Sequence, residues 1–209
     1  MIKVMIADDH PIIREGLKKI ISKTHDMTVT DEASSGEELL KKIKVNTYDV
    51  IILDISIPDK SGLEILKDLQ NRTQKTAVLI LSMHPEDLYA IRALKAGASG
   101  YLTKGGDTEE LITAIRKVAR GGRYVSPNLA EKLANDLIFN SDQPLHEKLS
   151  DREYQIMTML ASGKSPKNIA AELFLSLPTI STYRSRILQK MNFKNNAEII
   201  GYAIKNKLV

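Results

Sequence analysis

Apolar residues come first in short runs and later only in helical stripes. Residues 2–7 (IKVMIA) have the length of a buried strand and stop at Asp8-Asp9. Behind them Ile12, Ile13, Leu17, Ile20 and Ile21 recur at helical spacing, which predicts a helix with one apolar face. The alternation continues with strands at 28–33, 49–54, 76–82 and 100–103 and helices at 36–45, 62–71, 86–96 and 108–120. Turn-forming residues fall between them, in Pro58-Asp59-Lys60-Ser61-Gly62, at Gly97 and in Gly105-Gly106. Strict strand–helix alternation with short connections predicts an α/β domain, a five-stranded parallel sheet with helices on both faces.

The pattern changes after Gly121-Gly122. One helix is expected at 127–138, followed by a linker at 139–147 (FNSDQPLHE). From Leu149 onward no strand signal remains, and helices are expected at 151–162, 166–173, 177–191 and 195–206. The organisation is therefore an α/β domain over 1–125, a linker with one helix over 126–147, and an all-α four-helix domain over 148–209.

Composition narrows the class. The 209 residues are 43% hydrophobic and 27% charged, which excludes a disordered or collagen-like chain. The longest purely apolar runs, Val50–Leu53 and Ala77–Leu81, are far short of the ~20 residues of a membrane span. Acids appear by Asp8, so the start does not read as a signal peptide. With no cysteine there is no disulfide framework, thiolate metal site or cysteine nucleophile, which fits a cytoplasmic protein. Net charge is +4, distributed as +1 over 1–125, −3 over 126–147 and +6 over 148–209. The basic end suggests an anionic partner, or a solvated lysine-rich surface.

In an open parallel sheet, ligands bind beyond the carboxyl ends of the strands. There the first strand is followed by Asp8 and Asp9, the third ends in Asp54, the fourth in Ser82, and Lys104 follows the fifth. Clustered carboxylates repel one another unless a cation joins them, and oxygen ligands without cysteine suit Mg²⁺. A carboxylate can also act as a nucleophile toward phosphorus, and Asp54, on the middle strand, is the natural choice. Lys104 would then neutralise one phosphoryl oxygen and Ser82 donate to another. Singly, each has a plainer explanation: Asp9 before His10-Pro11 resembles a helix N-cap, Asp54 a turn residue, Lys104 a surface lysine. Together, at four strand ends, they point to phosphoryl chemistry.

These residues resemble a family. IADDH, VIILDISIPDKSG, LILSMH and GYLTKGG are similar to the motifs of the receiver domain of two-component response regulators. The resemblance implies a sheet order of 2-1-3-4-5 and phosphorylation of Asp54 by a sensor histidine kinase, with Mg²⁺ held by Asp8, Asp9 and Asp54. It also implies a switch pair, Ser82 and Tyr101, in which Ser82 moves toward the phosphoryl group and Tyr101 turns inward. Dimerisation on phosphorylation is expected on the face of the first and last receiver helices, around Ile13, Leu17 and Ile115. Many receivers have proline after the lysine, where this chain has Gly105. His84, two residues past Ser82, lies near the phosphoryl entrance, as a modulator of hydrolysis or as a plain loop residue.

In the basic domain, 165–191 reads as helix, tight turn, helix. On the second helix Ile180, Tyr183, Ile187 and Met191 share one stripe, while Pro178, Ser181, Thr182, Ser185 and Gln189 lie opposite, edged by Arg186 and Lys190. Small polar residues flanked by cations suit a DNA-reading helix. The segment 149–209 resembles the LuxR-type helix-turn-helix, and the whole chain resembles the NarL/FixJ class of response regulators. By position the resemblance makes Ser181, Thr182 and Ser185 base-facing; Arg184, Arg186 and Lys190 complete the expected DNA-binding set. Many relatives carry lysine at the position of Ser181. The expected function is a phosphorylation-controlled, DNA-binding transcription regulator rather than an enzyme, with slow autodephosphorylation. Two alternatives are a haloacid-dehalogenase-like phosphohydrolase, which needs a general-acid Asp where Ser56 stands, and a regulator that works without phosphate.

Overall fold

The computed structural model describes residues 1–70, 76–131 and 144–209, and the chain divides into two compact units, Met1–Ile138 and Phe139–Val209. In the first unit five strands, β1 (Ile2–Ala7), β2 (Met27–Ala33), β3 (Val50–Leu53), β4 (Ala77–Ser82) and β5 (Gly100–Thr103), form one sheet in the order β2-β1-β3-β4-β5. Every neighbouring pair is parallel. The connections are α1 (Pro11–Ser22), α2 (Gly36–Lys42), α3 (Gly62–Gln70) and α4 (Glu86–Lys95), and α5 (Thr108–Ala119) follows β5. The expected strands and helices of this unit all form, with ends that differ by a few residues.

Alternation along the strands decides what each face buries. Val4, Ile6, Val50, Ile52, Leu79 and Leu81 pack against Leu17 and Ile21 of α1 and Leu111, Ala114, Ile115 and Val118 of α5. Met5, Ile51 and Ile80 alternate with them toward the other face and are equally buried, as are Leu39 of α2, Ile65 of α3 and Tyr89 of α4. Each large aliphatic side chain buried this way contributes about 1.5–3 kcal/mol. The apolar face expected for α1 is narrower than its sequence suggests, because Leu17 and Ile21 turn inward while Ile12 is 84% exposed. Leu17 and Ile115 are core residues, which corrects their placement on an association face: their i, i+4 stripes already rest on the sheet.

The helix expected at 127–138 is present over 127–131, and its remainder lies outside the described residues. The linker ends in a 3-10 turn, Leu145–Lys148. The second unit then has α6 (Asp151–Ala161), α7 (Pro166–Glu172), α8 (Leu177–Met191) and α9 (Asn196–Lys205). Each begins at a capping side chain: Ser150, with Glu153 closing a capping box, then Ser165, Ser176 and Asn195. Such caps are worth ~1 kcal/mol each and fix where a short helix starts. Ile156 and Met157 of α6, Ile169 of α7, Ile180, Ile187 and Met191 of α8, and Ile199 and Ala203 of α9 are all buried. A four-residue turn joins α7 to α8, and α8 ends at Asn192 in the left-handed conformation.

Candidate functional site: an acidic cluster at the sheet edge and an exposed helix face

Register builds the acidic site. Ala7 pairs with Leu53, so Asp8 and Asp54 emerge side by side where the strand order reverses. The Asp54 amide donates to the Ala7 carbonyl at 2.9 Å, and the Asp8 amide to Ala33 at 3.1 Å. On the other flank Ser82 pairs with Thr103, and the Lys104 amide donates to the Ser82 carbonyl at 2.7 Å. All five residues expected at the strand ends therefore meet on one edge.

Lys104 Nζ lies 2.6 Å from Asp8 Oδ2 and 2.7 Å from Asp54 Oδ2. Asp8 and Asp54 are 2% and 3% exposed. Burial pushes the Asp54 carboxyl above its ordinary value; Lys104 opposes this, and Asp8 adds to it. For Lys104, burial pulls the ammonium down, but the charges and hydrogen bonds of Asp54 and Asp8 outweigh it and leave the pKa raised. The cluster is thus a desolvated set of charges in which one cation serves two anions.

The residues fit a divalent cation. Asp8, Asp9, His10 and Asp54 can each direct one ligand atom into a region where these atoms lie within 4.8 Å of one another. Asp9 is not the cap of α1: the N-cap is His10, which makes no side-chain cap bond. Its Oδ1 is buried without a hydrogen bond among the described residues; His10 Nδ1 is 2.7 Å away but outside bonding geometry. An unspent buried carboxylate oxygen beside two further carboxylates is a donor set suited to Mg²⁺.

Tyr101 is fully buried, and its hydroxyl donates to the His84 carbonyl at 2.8 Å. Burial pushes its phenol well above the usual value. The His84 amide donates to Ser82 Oγ at 3.2 Å, so the main chain of one residue touches both members of the expected switch pair. The His84 ring adds a contact, Nε2 to Ser56 Oγ at 3.1 Å. His84 is therefore more than a plain loop residue. Gly62 has a role that its place among turn residues does not reveal. A Cβ there would stand 2.5 Å from the Asp54 carbonyl oxygen and 2.8 Å from the Ile55 Cα, so the loop after β3 can fold back onto the Asp54–Ile55 backbone only without a side chain. Gly105, with φ +88°, gives the loop after Lys104 a backbone conformation that other residues rarely adopt.

In the second unit the exposed stripe of α8 is Pro178, Ser181, Thr182, Ser185, Arg186, Gln189 and Lys190. Ile180, Ile187 and Met191 are buried as expected, while Tyr183 is half-buried with Arg186 above its ring at 6.0 Å. Two expected cations have protein partners. Arg184 Nε donates to Asn196 Oδ1 at 2.6 Å, and Lys190 Nζ pairs with Glu153 Oε2 at 2.7 Å. Burial raises the Glu153 pKa, but the Lys190 pair and the Ser150 hydrogen bonds outweigh it and hold the carboxyl below its ordinary value.

A five-stranded sheet with an acidic phosphoryl-type site, joined to a four-helix unit with an exposed recognition-like helix, defines a two-part regulator. Residues 4–116 match the family model described as response regulator receiver domain, and residues 147–203 that of the bacterial regulatory proteins, luxR family. The chain is 36% identical to the oxygen regulatory protein NreC of Staphylococcus carnosus, covering 99% of both chains. It is 34% identical to the response regulator UvrY of Escherichia coli K12, over 100% of this chain and 96% of that one. Among solved structures, the response regulator ChrA of a heme-sensing two-component system is 33% identical with a TM-score of 0.53, covering 100% of this chain and 98% of that one. RcsB of Salmonella enterica, at 22% identity and a TM-score of 0.64 over 96% and 97% of the two chains, shares the fold. The chain belongs to the response regulators that join a receiver domain to a LuxR-type DNA-binding domain, the NarL/FixJ type. It is therefore a regulator of the transcription-factor kind, and the phosphohydrolase alternative falls away.

Proposed function

We propose that Asp54 accepts a phosphoryl group from a sensor histidine kinase, and that this modification controls binding of the C-terminal unit to DNA. The observation that carries the proposal is the buried Lys104 ammonium shared between Asp54 and Asp8. A carboxylate oxygen of Asp54 attacks phosphorus as the bond to the donor's nitrogen breaks. Lys104 is positioned to follow the new negative charge, and Ser82 to donate its hydroxyl to a phosphoryl oxygen. Asp8, Asp9 and Asp54 would hold Mg²⁺, which when bound offsets the charge of the phosphoryl oxygens. Movement of Ser82 would disturb the His84 segment, which Tyr101 also holds. Hydrolysis of the acyl phosphate then resets the protein slowly.

Residues 1–125 act as the receiver and 148–209 as the DNA-binding domain, joined by 126–147. Phosphorylation favours a homodimer through α1 and α5, where exposed Ile12 and the open flank of Gly16 leave room for a second copy. Two copies on adjacent half-sites bind through effective concentration what one +6 unit holds weakly. RcsB of Salmonella, which shares the fold, has been solved on promoter DNA in the presence of a phosphomimetic. No described helix is long and apolar enough to cross a membrane. Membership of the response regulators supports a place in the cytoplasm.

The test is incubation with acetyl phosphate and Mg²⁺, followed by intact mass and operator binding. The expected result is a lasting single-phosphoryl adduct on wild type and none on Asp54→Asn, with tighter DNA binding by the adduct. An adduct of equal yield on Asp54→Asn would overturn the assignment. Equal DNA affinity with and without the adduct would favour the phosphate-independent regulator.

A further inference from the structure

The three hydroxyls on the exposed face of α8 differ in their hydrogen bonding. Thr182 Oγ1 donates to the Pro178 carbonyl at 3.0 Å, and Ser185 Oγ donates to the Ser181 carbonyl at 3.0 Å. A carbonyl only accepts, so in both bonds the hydroxyl proton must be the one used. Ser181 makes no such bond among the described residues. All three side chains are exposed, on a stripe that holds no charge between Pro178 and Ser185.

A hydroxyl has one proton and two lone pairs. When the proton is held by a carbonyl four residues back, the oxygen meets an incoming group as an acceptor. Turning the proton toward a base acceptor breaks one hydrogen bond to make another and gains little. Meeting a base donor adds a bond and breaks none within the protein. In the major groove the base donors are the N4 amino group of cytosine and the N6 amino group of adenine; guanine and thymine present acceptors only.

We infer that Thr182 and Ser185 read amino groups: on the strand each one faces, adenine and cytosine substitute for one another, and guanine and thymine are disfavoured. The inference rests on α8 being the DNA-reading helix and adds to it the chemical class of base that these positions select. Ser181, whose proton is uncommitted, is the tolerant position of the three. The rule differs from ordinary sequence preference, because it groups A with C and G with T instead of separating A·T from G·C pairs.

The experiment is selection from a randomised operator library with the phosphorylated full-length protein, comparing wild type with Ser185→Ala, Thr182→Val and Ser185→Lys. For wild type the expected result is, within each half-site, a position where A and C are favoured over G and T by about fivefold, the value of one neutral hydrogen bond. Ser185→Ala flattens one such position and leaves the others; Thr182→Val, close in shape, flattens a second. Ser185→Lys, which has donors only, turns its position toward G or T. The inference is overturned if the positions flattened by these variants favour G or T in wild type, or if no position responds to either variant. Failure of the phosphorylated protein to enrich any sequence would overturn the DNA-reading assignment of α8 and this inference with it, so the two failures are distinguishable.

Discussion

The acidic site and the exposed face of α8 are made in opposite ways. The site draws Asp8, Asp54, Ser82 and Lys104 from the ends of four strands and takes them almost completely out of water. Its chemistry depends on that burial, which raises Asp54 and makes one ammonium serve two carboxylates. The α8 face is one continuous segment, 178–190, whose side chains stand in solvent on a helix set by the Ser176 cap and by Ile180, Ile187 and Met191 beneath. In the first region, changing one residue changes the electrostatics of the rest. In the second, the Thr182 and Ser185 hydroxyls each bond a backbone carbonyl and not one another, so one can be replaced without changing the charge around the other.

The largest contrast is at Asp54. Asp54→Asn should abolish phosphorylation, read by intact mass, because an amide is a poor nucleophile. The same variant should show the burial cost through pH. The folded pKa of Asp54 is raised, so its stabilising contribution is complete below the unfolded carboxylate value and is lost as pH rises through the folded value. In metal-free protein, the Tm of Asp54→Asn relative to wild type should therefore increase as pH rises through that window. A constant difference would mean that Asp54 is not desolvated.

Next is Gly62→Ala. A Cβ 2.5 Å from the Asp54 carbonyl oxygen forces the loop away, and urea unfolding of the receiver should show a loss of roughly 1–3 kcal/mol. No equivalent steric block exists at Ser181, Thr182 and Ser185 of α8, which are exposed and accept alanine.

Lys190 and Arg186 separate the two kinds of behaviour within the basic unit. Lys190→Ala leaves the Glu153 carboxylate, 3% exposed, without its cation and should destabilise this unit by about 1–3 kcal/mol. Arg186→Ala should keep its stability, weaken binding to all DNA sequences and reduce the salt slope by about one. Equal effects of the two variants on stability would erase the distinction. The smallest effect is expected at Ile204. At 63% exposure, Ile204→Ser should change stability by less than ~0.5 kcal/mol. Urea unfolding checks this, and a larger loss would mean that the Ile204 side chain is packed rather than solvated.

Much of this protein is legible in one dimension. Strand–helix alternation in the first half and helical stripes in the second are local patterns, and hydrophobic period alone separates them. The strand-end acids were visible too, because a parallel sheet collects its ligands at one edge. In α9, Ile199 is core and Tyr202 is tied to His146 by a 3.0 Å hydrogen bond. Nothing in the spacing of α9 separates these from exposed Ile204, since all sit within reach of one broad apolar stripe.

Composition and pattern by themselves determined the two-part organisation, the parallel sheet, the order of helices and the residue types at the sheet edge. Only the tertiary structure decided that Asp9 joins the acidic cluster, with an oxygen that accepts no hydrogen bond among the described residues, instead of capping α1, that Tyr101 points inward to His84, and that Gly62 must lack a side chain. It also decided that Lys190 has a buried partner and that two of the three hydroxyls on the exposed face of α8 have spent their protons. The reason is physical: periodicity records which side of an element meets apolar surroundings, whereas partnership depends on distances of a few ångströms between atoms that the chain brings together only on folding.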